Sequence, residues 1–250
     1  MPKHAGTPVL ESSRLKHHFE NETERTVMTQ AMFDRSADLY DRIEWWTGLG
    51  SGPRYRRHVL QQAGLRSGMQ VLDVATGTGL VAREALALIG PSGRLIGLDP
   101  SPGMLNQARR KLEIEIVQGY AEAIPLPSEQ FDFLTMGYAL RHVADLETTF
   151  REYFRVLKPG GKICILEIVR PNNRLLHNLL KFHLHDFVPA VTRLLLRRPD
   201  VSDLWKYYWD TIEVCVPNET IEAAISAAGF VSVRSQLSLG MFREYLATKP

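Results

Sequence analysis

Apolar residues recur at steps of three and four from Arg25 to Ile43 (Met28, Met32, Phe33, Ala37, Tyr40, Ile43), a spacing that predicts a helix. A second helix is expected from Arg54 to Ala63. The period then changes. Val71 to Val74 is a short apolar run ending in the small-residue turn Ala75-Thr-Gly77-Thr-Gly79, and helical spacing resumes from Leu80 to Ile89. This reads as strand, tight loop and helix. The rhythm repeats: Arg94 to Asp99 is a strand, Pro100 to Met104 opens a helix through Lys111, and Ile114 to Val117 is a third strand. Phe131 to Met136 is a fourth, Asp145 to Val156 a helix, and the turn Leu157-Lys-Pro-Gly-Gly161 leads into a strand from Lys162 to Val169. Asn218 to Ala228 is a capped helix ending at Gly229. Phe230 to Leu237 and Met241 to Thr248 then read as two strands around Ser238-Leu-Gly240. Alternating strands and helices predict an α/β fold, broken by a helical insertion at about 170–216. Residues 1–23 are polar and aperiodic, with Pro2, Gly6 and Pro8; a disordered tail is expected there, before a single domain at 24–250.

Length and composition narrow the class. A chain of 250 residues suits one α/β domain with additions, and its net charge of +2 does not call for nucleic acid. Cys164 and Cys215 match no metal motif and suit a reduced interior. His17-His18 are adjacent and His183 and His185 are two apart, so neither pair shares a helix face and no metal is assigned. No apolar run approaches the ~20 residues needed to span a bilayer. Lys3, Glu11, Arg14, Lys16 and Glu20 interrupt any apolar signal core, and the expectation is a soluble, cytoplasmic protein.

The chemistry centres on the first loop. Gly77 and Gly79 let a backbone approach a ligand at a helix N-terminus, and Asp73 and Asp99 flank that loop at strand ends, forming a pocket for a nucleoside-bearing cofactor. Gly77-Thr-Gly79-Leu-Val-Ala82, with Asp99 about 20 residues on, fits a dinucleotide fingerprint. Asp73 pulls the other way. It lies two residues before Ala75, placed to face a positively charged amino acid group and to repel a pyrophosphate. The pattern Asp73-x-Ala75-x-Gly77-x-Gly79 resembles the first motif of class I S-adenosylmethionine methyltransferases, and the Leu157–Gly161 turn is typical of them.

Finer motifs resemble the UbiE-type ubiquinone/menaquinone C-methyltransferases. Phe33-Asp-Arg-Ser-Ala-Asp-Leu-Tyr40-Asp41 looks like their N-terminal helix, where a Tyr-Asp pair lies beside the active site. Gly119-Tyr120-Ala121-Glu122 resembles their adenine loop, with Tyr120 where an acidic or amide residue usually stands. Gly137-Tyr138-Ala139-Leu140-Arg141-His142 resembles their "FGLRN" loop, with His142 in place of asparagine, and Phe242-Arg-Glu244-Tyr245-Leu stands where "ALH" is usual. The resemblance implies a Rossmann-like sheet of seven strands, mostly parallel with the last antiparallel, plus helical lid segments. It places Asp73, Ala75, Gly77 and Gly79 at the methionine end, Asp99 on the ribose, and Met104 and the backbone of Ala121 at the adenine. Arg141 would stabilise a ring phenolate while His142 or Tyr40 moves the proton.

The expected function is methyl transfer from S-adenosylmethionine to a ring carbon of a small aromatic, a quinone or quinol biosynthetic intermediate. The departures at Tyr120, His142 and residues 242–246 keep two alternatives: exchange of a ring methoxy for an amino group, as in ubiquinone-to-rhodoquinone enzymes, and a silent cofactor-binding partner. A nicotinamide dehydrogenase is disfavoured by Asp73 and the Leu157–Gly161 turn. Glu44 to Pro53 reads as a glycine-rich hinge whose Trp45 and Trp46 either cap the core or form a lid. Residues 174–198 are basic and leucine-rich: either a helical cover burying its leucines, or a face for an anionic inner-membrane surface and a lipid-tailed substrate. A homodimer stays open.

Overall fold

Val71 and Leu72 are neighbours in the chain and face opposite sides of one sheet, and both are fully buried, so both sheet faces need a cover. The computed structural model describes residues 22–47 and 50–250. Its strands are β1 (Gln70–Val74), β2 (Arg94–Asp99), β3 (Glu115–Gln118), β4 (Phe131–Gly137), β5 (Leu157–Ile168), β6 (Val231–Ser238) and β7 (Phe242–Thr248). They form a single seven-stranded sheet in the order β3-β2-β1-β4-β5-β7-β6. The first five strands run parallel, and β7 lies antiparallel between β5 and β6. This is the expected sheet.

On one face, Val71, Leu95, Phe133 and Cys164 pack under α2 (Gly52–Gln62) and α3 (Leu80–Ile89). On the other, Leu72, Ile96, Leu134 and Ile163 pack under α5 (Leu146–Val156) and α9 (Asn218–Ala227). Helix α4 (Pro102–Lys111) starts as its sequence requires, with Pro102 in the first turn and Ser101 Oγ accepting from Met104 N–H at 3.0 Å. Two local expectations change. The Pro–Gly turn lies within β5: Leu157 pairs with Phe131 and Lys162 with Phe133, so five steps along β5 face two along β4, and the surplus is a bulge carrying the turn. Helix α9 has no side-chain cap; it opens on Pro217, whose carbonyl accepts from Thr220 N–H at 3.1 Å.

The remaining helices cover the carboxyl ends of the strands. They are α1 (Glu22–Thr47), α6 (Arg174–Lys181), a π-helical turn (Phe182–Phe187), α7 (Val188–Leu194) and α8 (Pro199–Glu213). Ile43 of α1 packs with Leu184, Val188, Trp205 and Tyr208 of the insertion. Helix α1 is also clipped to the loop after β2: Asp34 Oδ1 accepts from Ser101 Oγ at 2.5 Å and Gly103 N–H at 2.8 Å. Gly103 has no room for more, since a Cβ there would lie 2.8 Å from the Asp34 carbonyl. Most of the expected tail, residues 1–21, lies outside the described residues, as do Gly48 and Leu49 of the hinge. Trp45 and Trp46 do not cap the core; they are 59% and 72% exposed.

Candidate active site

The carboxyl ends of β1, β2 and β4 open into a cavity of about 820 Å³, large enough for a cofactor with a small substrate. Ala75 after β1 (φ 52°) and Tyr138 after β4 (φ 61°) both line it in left-handed backbone conformations. Such strain in non-glycine residues clusters at functional sites. Gly77 (φ 56°) follows, and a Cβ there would meet nothing within 4 Å, so this loop lets a ligand approach its backbone. Gly77 N–H donates to Asp99 Oδ2 and Ser101 N–H to Oδ1, both at 2.8 Å. Asp99 lines the cavity with one further lone pair on each oxygen for a hydroxyl. Burial pushes its carboxyl up to about 6, against the pull of the two N–H groups.

Three expected contacts take other roles. The Gly77 amide is used by Asp99, and the Gly79 amide donates to the Thr76 carbonyl at 2.9 Å. Gly79 does not line the cavity; a Cβ on it would lie 2.5 Å from Leu112, so it permits close packing of α3. Asp73 is fully buried and off the cavity wall, accepting from Thr76 Oγ1 at 2.6 Å and so bracing the loop from beneath. Burial pushes it up to about 7. Met104 and Ala121 both line the cavity as expected. Tyr120 does too, donating from its hydroxyl to Gln30 Oε1 of α1 at 3.0 Å.

The other half of the cavity is aromatic. Phe33, Tyr40, Trp205, Tyr208 and Phe242 line it, and Tyr40 stacks on Trp205 with centroids 6.4 Å apart. Burial holds the Tyr40 phenol well above its ordinary value, so it stays protonated at neutral pH. His142 also lines this half, edge-on to Phe33 at 5.4 Å, with Nδ1 3.5 Å from the Tyr207 hydroxyl and a buried Nε2 that has no partner. Burial, then the charges of Arg141 and Arg25, drive its pKa well below the usual histidine value, and the imidazole is neutral.

Arg141 is brought close to these residues but not onto the wall. It is fully buried and pairs with Glu167; its Nε donates to Thr211 Oγ1 at 3.1 Å and its Nη1 to the Tyr138 carbonyl at 2.9 Å. The guanidinium carbon lies 3.9 Å from the Tyr208 ring centroid. Tyr208 thus stands between Arg141 and the cavity.

Sequence reasoning passed over Tyr55, Arg56, Trp205 and Tyr208, all of which line the cavity. Arg56 carried a readable signal. It falls with Val59, Leu60 and Ala63 on the buried face of α2, an unusual place for an unexplained charge.

The family model described as the ubiE/COQ5 methyltransferase family matches residues 20–249. The ubiquinone/menaquinone biosynthesis C-methyltransferase UbiE of Pseudoalteromonas translucida is 31% identical over 216 residues, covering 84% of this chain and 85% of that protein. UbiE of Cronobacter sakazakii is 31% identical over 236 residues, covering 90% and 93%. Among solved structures, a SAM-dependent methyltransferase of Thermotoga maritima superposes with a TM-score of 0.63 at 20% identity, covering 89% of this chain and all of that one. One from Aquifex aeolicus gives 0.58 at 20% identity, covering 78% and 89%. At those identities the structural likeness speaks for the fold.

Proposed function

The chain belongs to the ubiE/COQ5 methyltransferase family, and from that premise we propose that it moves the methyl group of S-adenosylmethionine to a ring carbon of a quinol precursor. The observation that carries this reading is one cavity with two unlike halves: a buried acid, Asp99, beside an open glycine loop, and a cage of aromatic side chains. Asp99 would hold the ribose hydroxyls, Met104 and Ala121 the adenine, and the Ala75–Gly77 backbone the methionine end. The bound cofactor supplies an already activated methyl electrophile. The protein therefore has to align sulfur, methyl and ring carbon and keep water out, a contribution of about 7–11 kcal/mol in well-oriented systems. Phe33, Tyr40, Trp205, Tyr208 and Phe242 do this by clasping a flat ring. Neutral His142, with Nε2 free, takes the proton from a ring hydroxyl, while the Arg141 charge behind Tyr208 favours the phenolate.

Mass spectrometry of host lipid quinones with and without the gene tests the reaction. Loss of the gene is expected to leave a quinone or precursor lighter by one methyl; an unchanged profile would overturn the reading. A second reading is exchange of a ring methoxy for an amino group. It is favoured by Arg141, which lies behind Tyr208 and off the cavity wall. Full-mass ubiquinone with loss of an amino-bearing quinone would support it.

Asp99→Ala is expected to weaken S-adenosylmethionine binding roughly 10- to 100-fold, because a hydrogen bond to a charged acceptor contributes about 1.5–3 kcal/mol. An unchanged dissociation constant would remove Asp99 from the site. The same group sets a pH dependence. Its folded pKa of about 6 exceeds the unfolded value of 3.8, so its ionisation costs stability as pH rises through that window. A ligand that donates to the carboxylate favours the ionised form, so affinity should rise severalfold between about pH 5.5 and 7.5. Asp99→Asn should flatten that part of the calorimetric profile.

The insertion faces outward in a way that suits a lipid-tailed acceptor. Leu175, Leu179, Phe182, Leu194 and Leu195 are exposed, together with Arg174, Lys181, Arg193 and Arg197. Only the inward face of that run, with Leu180 and Leu184, joins the cavity wall. No described helix is long and apolar enough to cross a membrane, so the contact would be peripheral. Each basic residue near an anionic surface adds on the order of 1 kcal/mol. The protein is expected to sediment with anionic vesicles, less so in high salt, and Leu194→Glu with Leu195→Glu should abolish this. Equal recovery with and without vesicles would exclude membrane contact.

A further inference from the structure

The amides of Gly77 and Gly79 are used inside their loop, and Asp73 does not reach the cavity. A negatively charged group seated along Ala75–Gly77 therefore needs another partner. Arg56 on the cavity wall is placed to supply it. Its side chain is 2% exposed, and one nitrogen, Nη2, pairs with Glu44. Nε and Nη1 are buried without a partner. Leaving donors of a buried cation unfilled is unfavourable, and proteins retain such an arrangement where a ligand completes it. The guanidinium lies 5.9 Å from the ring centroid of Tyr138, the strained residue at the end of β4, next to the β1 loop. Gly52 leaves space for the pair: a Cβ there would lie 2.6 Å from Glu44 Oε1 and 3.0 Å from Arg56 Nη1.

We propose that Arg56 is the anion-binding residue of this cavity, taking a carboxylate or ring oxyanion on its free Nε and Nη1 donors while Glu44 balances its charge from behind. The inference rests on the S-adenosylmethionine reading of the cavity. Two ligands present this chemistry there: the carboxylate at the cofactor's methionine end, and a deprotonated ring oxygen of the acceptor.

Titration calorimetry with S-adenosylhomocysteine, methylthioadenosine and a decyl-tailed benzoquinol separates them. Methylthioadenosine keeps the nucleoside and lacks the carboxylate. Arg56→Gln is expected to weaken S-adenosylhomocysteine about 10- to 100-fold and leave methylthioadenosine unchanged. If S-adenosylhomocysteine is unaffected and the benzoquinol weakens by a similar factor, Arg56 is still the anion site and its ligand is the acceptor. If all three bind as to wild type, the proposal is overturned. Failure of both S-adenosylhomocysteine and methylthioadenosine to bind wild-type protein would instead overturn the cofactor reading beneath it. Should Arg56→Gln lose its cooperative thermal transition, Glu44→Gln serves. Removing the competing carboxylate should tighten S-adenosylhomocysteine or the benzoquinol severalfold, and unchanged affinity for both overturns the proposal.

Discussion

Replacing Arg141 with alanine is expected to lower stability by about 3–5 kcal/mol, the range for removing one partner of a buried ion pair. The reason lies with what remains. Glu167 is 1% exposed, and without Arg141 its carboxylate would keep only the Ile168 N–H at 2.9 Å and the long bond from the residue 141 backbone at 3.3 Å. Thr211 and the Tyr138 carbonyl would lose their donor as well. For a chain of this size about 2–4 °C of melting temperature follows each kcal/mol, so a fall of roughly 6–20 °C should appear in scanning calorimetry. Replacing both partners by apolar residues, Arg141→Met with Glu167→Leu, should recover most of it, since no charge is then left buried. A melting temperature within one or two degrees of wild type for Arg141→Ala would show that the pair is solvated. Loss of activity in that variant reports on folding first and on the reaction second.

Turnover should fall about 10²- to 10⁴-fold in His142→Ala at saturating cofactor, the usual range for a general base, with cofactor affinity unchanged. The imidazole lines the aromatic half of the cavity, its Nδ1 against Tyr207, whose hydroxyl is also 3.0 Å from Thr29 Oγ1. That contact orients the ring, and Nε2 is buried without a partner. Because burial and two arginine charges hold its pKa well below 6.5, the basic form is present across the neutral range. The turnover profile should therefore be flat from about pH 6.5 upward on account of this group, a weak base that is always available. Single-turnover methyl transfer at several pH values measures both effects. Wild-type turnover in both His142→Ala and His142→Gln would remove the residue from the reaction.

What could be read from the chain was what local backbone chemistry dictates. The run from Val71 to Ile89 announces strand, turn and helix by its own spacing, and Asp99 follows from its place at the end of the next strand. The seven strands, mostly parallel with the last antiparallel, followed from the resemblance those motifs carry. Side-chain direction was less legible. Asp73 lies two residues before the cavity-lining Ala75, yet the Thr76 hydroxyl holds its carboxylate under the loop. Arg141 was placed in the right loop, but its direction is decided by Glu167 on β5, 26 positions away. Trp205 and Tyr208 were hidden for another reason. Helix α8 is buried on most sides, so its aromatics carry no periodic stripe to mark which of them face a ligand.

Most of the aromatic half of the cavity comes from a different part of the architecture than the glycine loop. Asp99 and the Ala75–Gly77 loop hang from the sheet, whereas Phe33, Tyr40, Trp205 and Tyr208 belong to α1 and α8, which pack on each other and contribute nothing to the sheet. Substitutions at those four aromatic positions can therefore reshape that half of the cavity while leaving the strands as they are. The scaffold is modular in an evolutionary sense: the aromatic wall can vary on the outer helices while the sheet and its glycine loop stay intact.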